Sequence, residues 1–163
     1  MNLPIKTLLI WISMQCTAWS ADQIAIAVTD VSSSEKSYVI TFVVENKGDT
    51  LIYINSPFSS RARQQLTVVF VDKKGGEMTV MRRFLESSGA SRSERLPPGK
   101  KLEFKIDLRD GEWDVVTGYG GRGSDNFYLE FNCPVEPRRE AVWAGNVKSK
   151  VTHANLDLYS IFQ

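Results

Sequence analysis

The chain has 163 residues, with 20 Lys+Arg against 19 Asp+Glu, one His and two Cys. Its length favours one domain, and 42% hydrophobic with 24% charged residues excludes disordered and fibrous classes. A net charge of +1 gives no bulk electrostatic footprint for nucleic acid, and one His with two Cys excludes a His- or Cys-rich metal cluster and a dense disulfide framework.

The chain opens with Lys6, the apolar run Leu8-Leu9-Ile10-Trp11-Ile12, polar Ser13, Gln15 and Thr17, then Ala18-Trp19-Ser20. Small residues stand at the two positions a signal peptidase reads. Residues 1–20 are therefore expected to be a secretory signal peptide cut between Ser20 and Ala21. The apolar run is far below the ~20 residues of a membrane span, so no stable span is expected. A lipidated start at Cys16 would want a small residue before it, and Gln15 is not one. Removing 20 of the 163 residues leaves 143, with 19 basic against 19 acidic residues and Cys133 as the one thiol. No internal disulfide is then possible, and the core alone must hold the domain, residues 21–163.

Period-two alternation dominates the rest of the chain. Ile24 to Thr29 predicts a first strand, and Tyr38 to Glu45 a second with Tyr38, Ile40, Phe42 and Val44 on one face. Asn46-Lys47-Gly48-Asp49 is turn chemistry. Thr50 to Ile54 is a short third strand, and Gln65 to Val71 a fourth. Asp72 to Gly76 reads as a hairpin loop into a strand over Glu77 to Phe84. Leu85 to Arg95 is Ser-rich and reads as a surface loop, with room for one helical turn over 82–92. Leu96-Pro97-Pro98-Gly99 is a sharp corner. Leu102, Phe104, Ile106 and Leu108 then alternate with Lys101, Glu103, Lys105 and Asp107, the clearest half-buried strand. Gly118 to Ser124 holds four glycines and reads as a mobile loop. Phe127, Leu129, Phe131 and Cys133 share a face, and Val142 to Thr152 predicts a last strand before a short tail. Seven to nine strands argue an all-β, antiparallel sandwich with Greek-key connections, with a closed barrel as the alternative.

Three stretches add to the periodicity: Val43-Val44-Glu45-Asn46-Lys47-Gly48-Asp49, Leu96-Pro97-Pro98-Gly99 before an alternating strand, and Trp143-Ala144-Gly145-Asn146-Val147-Lys148-Ser149. Together they resemble exported bacterial immunoglobulin-like β-sandwich domains, over most of residues 24–152. The resemblance implies an immunoglobulin-like architecture. It transfers no catalytic residue, because these stretches serve turns and sheet edges.

No catalytic set emerges. The one His, His153, has no recognisable partners, and no nucleophile elbow, zinc-protease or P-loop signature is present. Asp107, Asp110, Glu112 and Asp114 cluster in one turn, where calcium is a possibility against a solvated turn. Cys133 is in phase with core residues and is read as a buried free thiol. No cofactor is expected. Three loops are candidate binding surfaces, since Tyr and Arg are enriched at interfaces: Ser56–Arg63 with Phe58, Arg61 and Arg63; Ser87–Arg95 with Arg92 and Arg95; and Gly118–Ser124 with Tyr119 and Arg122. The resulting expectation is an exported, periplasmic or extracellular, non-enzymatic module. It would bind a protein partner of the cell envelope, such as a peptidase, toxin or envelope component, through loops or an edge strand, and would not bind nucleic acid. The alternatives are a structural or adhesion module and a small secreted hydrolase. The sequence leaves the oligomeric state open.

Overall fold

The computed structural model describes residues 23–55, 65–83, 93–118, 126–133, 142–153 and 161. Ser20 and Ala21 lie outside the described residues. Among those described the chain is all-β, with eleven strands: β1 Ile24–Ser33, β2 Tyr38–Asn46, β3 Ile52–Asn55, β4 Gln65–Val71, β5 Glu77–Arg82, β6 Ser93–Leu96, β7 Lys101–Asp107, β8 Trp113–Thr117, β9 Asn126–Cys133, β10 Gly145–Lys148 and β11 Thr152–His153. No helix among them is long and apolar enough to cross a membrane.

The strands form three antiparallel sheets. The first has the order β1-β2-β7; the second β10-β9-β4-β5-β8, with β11 also paired to β9; the third is the ribbon β3-β6. The two larger sheets and the ribbon bury their apolar residues in one cluster. Tyr38, Ile40, Phe42 and Val44 of β2 meet it from one side, and Leu66, Val68 and Phe70 of β4 with Phe127, Leu129 and Phe131 of β9 from another. Burying each such side chain contributes about 1.5–3 kcal/mol. Ring contacts fix the packing. Phe42 stacks on Phe104 across β2 and β7 at 5.5 Å, and Phe131 stacks on Trp143 at 5.9 Å.

Most expected strands are present within a residue or two. Four differences have physical causes. The first strand runs on to Ser33, because Thr29 is an extra residue between the pairs Val28↔Phe42 and Asp30↔Thr41. That bulge breaks the alternation at the residue where the predicted strand ends. β6 lies in what reads as a polar loop and corner, because Ser-Glu-Arg-Leu buries a single apolar residue, Leu96, and so shows no alternation; among the described strands it pairs with β3 alone. β8 follows the acidic turn and carries two adjacent valines in place of an alternating pattern. The expected last strand is two strands, β10 and β11, separated where Ser149 turns inward and its Oγ accepts from Leu129 N–H. The strand count therefore exceeds the seven to nine expected. Most of the span 82–92 lies outside the described residues. Ile161, expected in a simple tail, is buried in the core.

The corner at Leu96 is built as its composition demands. Lys100 N–H donates to Pro97 C=O at 3.1 Å, and Gly99 has φ +68°. Pro at the second position and a positive-φ Gly at the third define a type II turn.

Candidate functional site

The register of the second sheet decides which candidate loops can act together. Gln65 faces Asn132, and Arg82 faces Trp113. The start of β4, the end of β5, the end of β9 and the start of β10 therefore lie at one end of this sheet. Segments 56–64 and 84–92 attach there. Their other flanks meet at the ribbon: Asn55, the last residue of β3, pairs with Ser93, the first of β6, and Ser93 Oγ donates to Asn55 Oδ1 at 2.6 Å. The segment after Gly118 attaches at the opposite end, where Thr117 faces Thr79 and Asn126 faces Val71. The flanks of two candidate loops are thus brought together, and those of the third are set apart from them. Phe58, Arg61, Arg63, Arg92, Tyr119 and Arg122 lie outside the described residues. Arg95 is exposed on β6, opposite Tyr53 of β3.

A different feature stands out among the described residues. β8 is the edge of the second sheet, with no described strand on its outer side. Its Trp113 is buried at 5% exposure, but Val115, two residues on and on the same core-directed face, is 43% exposed, and Val116 is 54% exposed. Val116 is an extra residue between the pairs Val80↔Val115 and Thr79↔Thr117. Arg83 N–H donates to Glu112 C=O at 2.6 Å, so the N–H and C=O groups of Glu112 and Asp114 turn toward β5. Those of Trp113 and Val115 turn outward. An edge with outward backbone groups beside uncovered valines can take an added strand. The run Val115-Val116-Thr117 between Asp114 and Gly118 was the sequence signal for it, being wholly β-branched.

Two ion pairs clamp this edge. Arg83 grips Asp114 with both forks, Nε to Oδ2 and Nη2 to Oδ1, each at 2.6 Å. Arg82 donates from Nε to Glu112 Oε2 at 2.7 Å. Hydrogen bonds from Arg83 hold the Asp114 carboxyl below its ordinary range. Across the same sheet and away from β8, the strands β9 and β10 carry a polar network: Tyr128 donates to Glu77 at 3.1 Å, Lys148 lies 3.3 Å from Glu130 and 5.2 Å from the Tyr128 ring centre, and Asn146 donates to Glu130 at 2.6 Å.

The acidic turn spends its carboxylates on structure. Asp107 Oδ1 accepts from Tyr38 N–H at 2.8 Å and Arg109 N–H at 3.0 Å, and Asp110 Oδ1 accepts from Glu112 N–H at 2.8 Å. Glu112 and Asp114 face the two arginines. Among the described residues no group of three or more His, Cys, Asp or Glu side chains could hold a metal ion. His153 is exposed, its Nδ1 3.0 Å from Asn126 Oδ1. Cys133 is in no disulfide and is 3% exposed, and its thiol donates to Trp143 C=O at 2.9 Å.

No family model and no curated protein matches the chain. Among solved structures it aligns with part of a β-glucosidase from Kluyveromyces marxianus in complex with glucose, at 11% identity and a TM-score of 0.34, over 82% of this chain and 14% of that one. It also aligns with part of β-glucosidase 3B from Thermotoga neapolitana in complex with α-D-glucose, at 13% identity and a TM-score of 0.27, over 82% of this chain and 17% of that one. The chain spans less than a fifth of the length of either enzyme, and overlaps of this degree carry no argument about activity.

Proposed function

We propose that this chain is an exported, non-enzymatic, immunoglobulin-like β-sandwich that binds a protein of the cell envelope by strand addition along β8. The observation that carries the reading is the outer edge of β8, where Val115 and Val116 stand 43% and 54% exposed beside the outward backbone groups of Trp113 and Val115. An extended partner segment would complete hydrogen bonds along that edge and cover Val115, prolonging the core face. The Arg82–Glu112 and Arg83–Asp114 pairs hold the edge in place before the partner arrives, which lowers the ordering cost of binding.

The Greek-key reading draws support from the crossings that set β7 beside β2 and β9 beside β4. Export rests on the leader-like residues 1–20, with cleavage between Ser20 and Ala21. A photo-crosslinking residue placed at Val115, and separately at exposed Lys36, tests the binding mode in cells. A discrete protein adduct from position 115 and none from position 36 is expected. No adduct from 115, or adducts of the same size from both, would overturn it.

A further inference from the structure

The first sheet has its own free edge, on β7, and its chemistry points to a different occupant. In the β2–β7 ladder, Leu108 N–H donates to Tyr38 C=O and Asn46 N–H to Lys100 C=O. Hydrogen-bonded pairs alternate along an antiparallel ladder, so Leu102, Phe104 and Ile106 spend their backbone groups on β2. The N–H and C=O groups of Lys101, Glu103, Lys105 and Asp107 therefore point outward. No described strand occupies that side. The side chains of the same four residues alternate in charge, and those of Lys101, Glu103 and Lys105 are 57%, 59% and 67% exposed.

We infer that β7 pairs antiparallel with β7 of a second copy of this chain, about a two-fold axis at Phe104. In that register Glu103 lies opposite the second copy's lysine 105, and Lys101 opposite its aspartate 107. Each strand's basic residue meets the other's acidic one in all four positions. The facing residues are also those whose backbone groups point outward, so hydrogen-bond phase and charge select the same register. An axis at Glu103 would set Glu103 against Glu103 and Lys101 against Lys105. An axis at Lys105 would set lysine against lysine and Glu103 against Asp107. Like charges directly opposite destabilise a strand pair, so both neighbouring registers are disfavoured. Lysines on an edge ordinarily repel a second strand; here interleaved acids reverse that effect for this one partner. The inner pairs select, because Oδ1 of Asp107 already accepts from Tyr38 and Arg109 N–H. The chain's net charge of +1 sets no global repulsion between copies. Two three-stranded sheets would merge into one of six, and an interface of one short strand gives a reversible, salt-sensitive dimer.

Sedimentation velocity on the purified full chain tests this over roughly a hundredfold range of concentration. The expected result is a monomer–dimer equilibrium that shifts toward monomer between about 50 and about 500 mM salt. Glu103→Lys and Lys105→Glu should each weaken dimerisation at least tenfold. An equimolar mixture of the two variants should dimerise again, because each chain then faces the opposite charges. A wild-type chain that stays monomeric throughout overturns the inference. So does a dimer untouched by either single variant, or a mixture no more dimeric than its components.

Discussion

The Asn46 side chain donates to the Leu96 carbonyl at 3.0 Å, joining the end of β2 to a residue 50 positions later. The same amide donates to Thr50 C=O at 2.8 Å, and its Oδ1 accepts from Gly48 N–H at 2.9 Å. The residue is fully buried. One side chain therefore closes the turn after β2 and anchors the β3-β6 ribbon to the first sheet. Asn46→Ala leaves buried carbonyls unpaired and is expected to cost about 2–4 kcal/mol. Asn46→Asp should cost more, since a carboxylate would face two carbonyl oxygens. Urea unfolding of the variants measures both, and equal stability to wild type would refute this role.

Asn46 also marks how far the sequence could be read. Asn46-Lys47-Gly48-Asp49 identifies a turn, because short-range chemistry decides it. That the same amide holds Leu96 depends on a contact between distant segments, which no local pattern encodes. The strands with a buried face, β2, β4, β7 and β9, were legible, since burial on one side forces alternation. β8 was not, because an edge strand with a bulge escapes that constraint and exposes Val115 and Val116. The candidate site suffered for the same reason. Aromatic and arginine content marks loops, most of whose candidate residues lie outside the described residues, whereas β8 offers only its β-branched run.

Tyr38 tests the opposite kind of polar group. Its ring is buried at 1% exposure, and its hydroxyl has no hydrogen-bond partner among the described residues. Burial pushes the phenol well above the usual tyrosine range. Removing an unpaired buried hydroxyl while keeping the ring relieves a desolvation penalty, so Tyr38→Phe is expected to stabilise the fold by about 1 kcal/mol at neutral pH. The pH effect has a definite sign. The folded phenol stays neutral where the unfolded one ionises, so this contribution is complete below the ordinary value of about 10 and is lost as pH rises above it. Wild type should therefore lose stability in alkali faster than Tyr38→Phe. Denaturant midpoints on either side of that value would show it; parallel curves would count against it.

At the acid end Asp114 and Glu45 act together. Asp114 is held low by Arg83, and Glu45 by hydrogen bonding to Lys47, with the Lys101 charge adding to it. The folded state binds these protons less readily than the unfolded chain. Their stabilisation is present above the ordinary carboxylate range and is lost as pH falls through the lowered folded values. The Asp114 side chain is half-exposed and that of Glu45 partly so, and the effect should be modest and screened by salt. Asp114→Asn is expected to be less stable than wild type near neutrality and to converge with it as pH falls through the lowered range of the Asp114 carboxyl. A constant difference across the titration would mean that the Arg83–Asp114 charge contributes nothing.

Gly118 ends β8, and its backbone permits no other residue cheaply. Its φ is +85°, and a Cβ there would lie 2.1 Å from Glu77 C=O. Alanine must both adopt a left-handed conformation and push β8 away from the start of β5. The expected cost is at least about 2 kcal/mol, above the ~1 kcal/mol of the conformation alone. The damage should be local before it is global. Asp114 N–H points toward β5, so its hydrogen exchange reports the attachment of the edge, whereas Val39 in the first sheet reports the rest of the fold. In Gly118→Ala, exchange at Asp114 should rise more than at Val39, because the clash with Glu77 loosens the pairing of β8 with β5 and leaves the first sheet untouched. If β8 is the binding edge, the crosslink from position 115 should fall in proportion to that opening. Faster exchange at Asp114 with an undiminished crosslink would separate the two, leaving Gly118 a structural role and removing β8 from recognition.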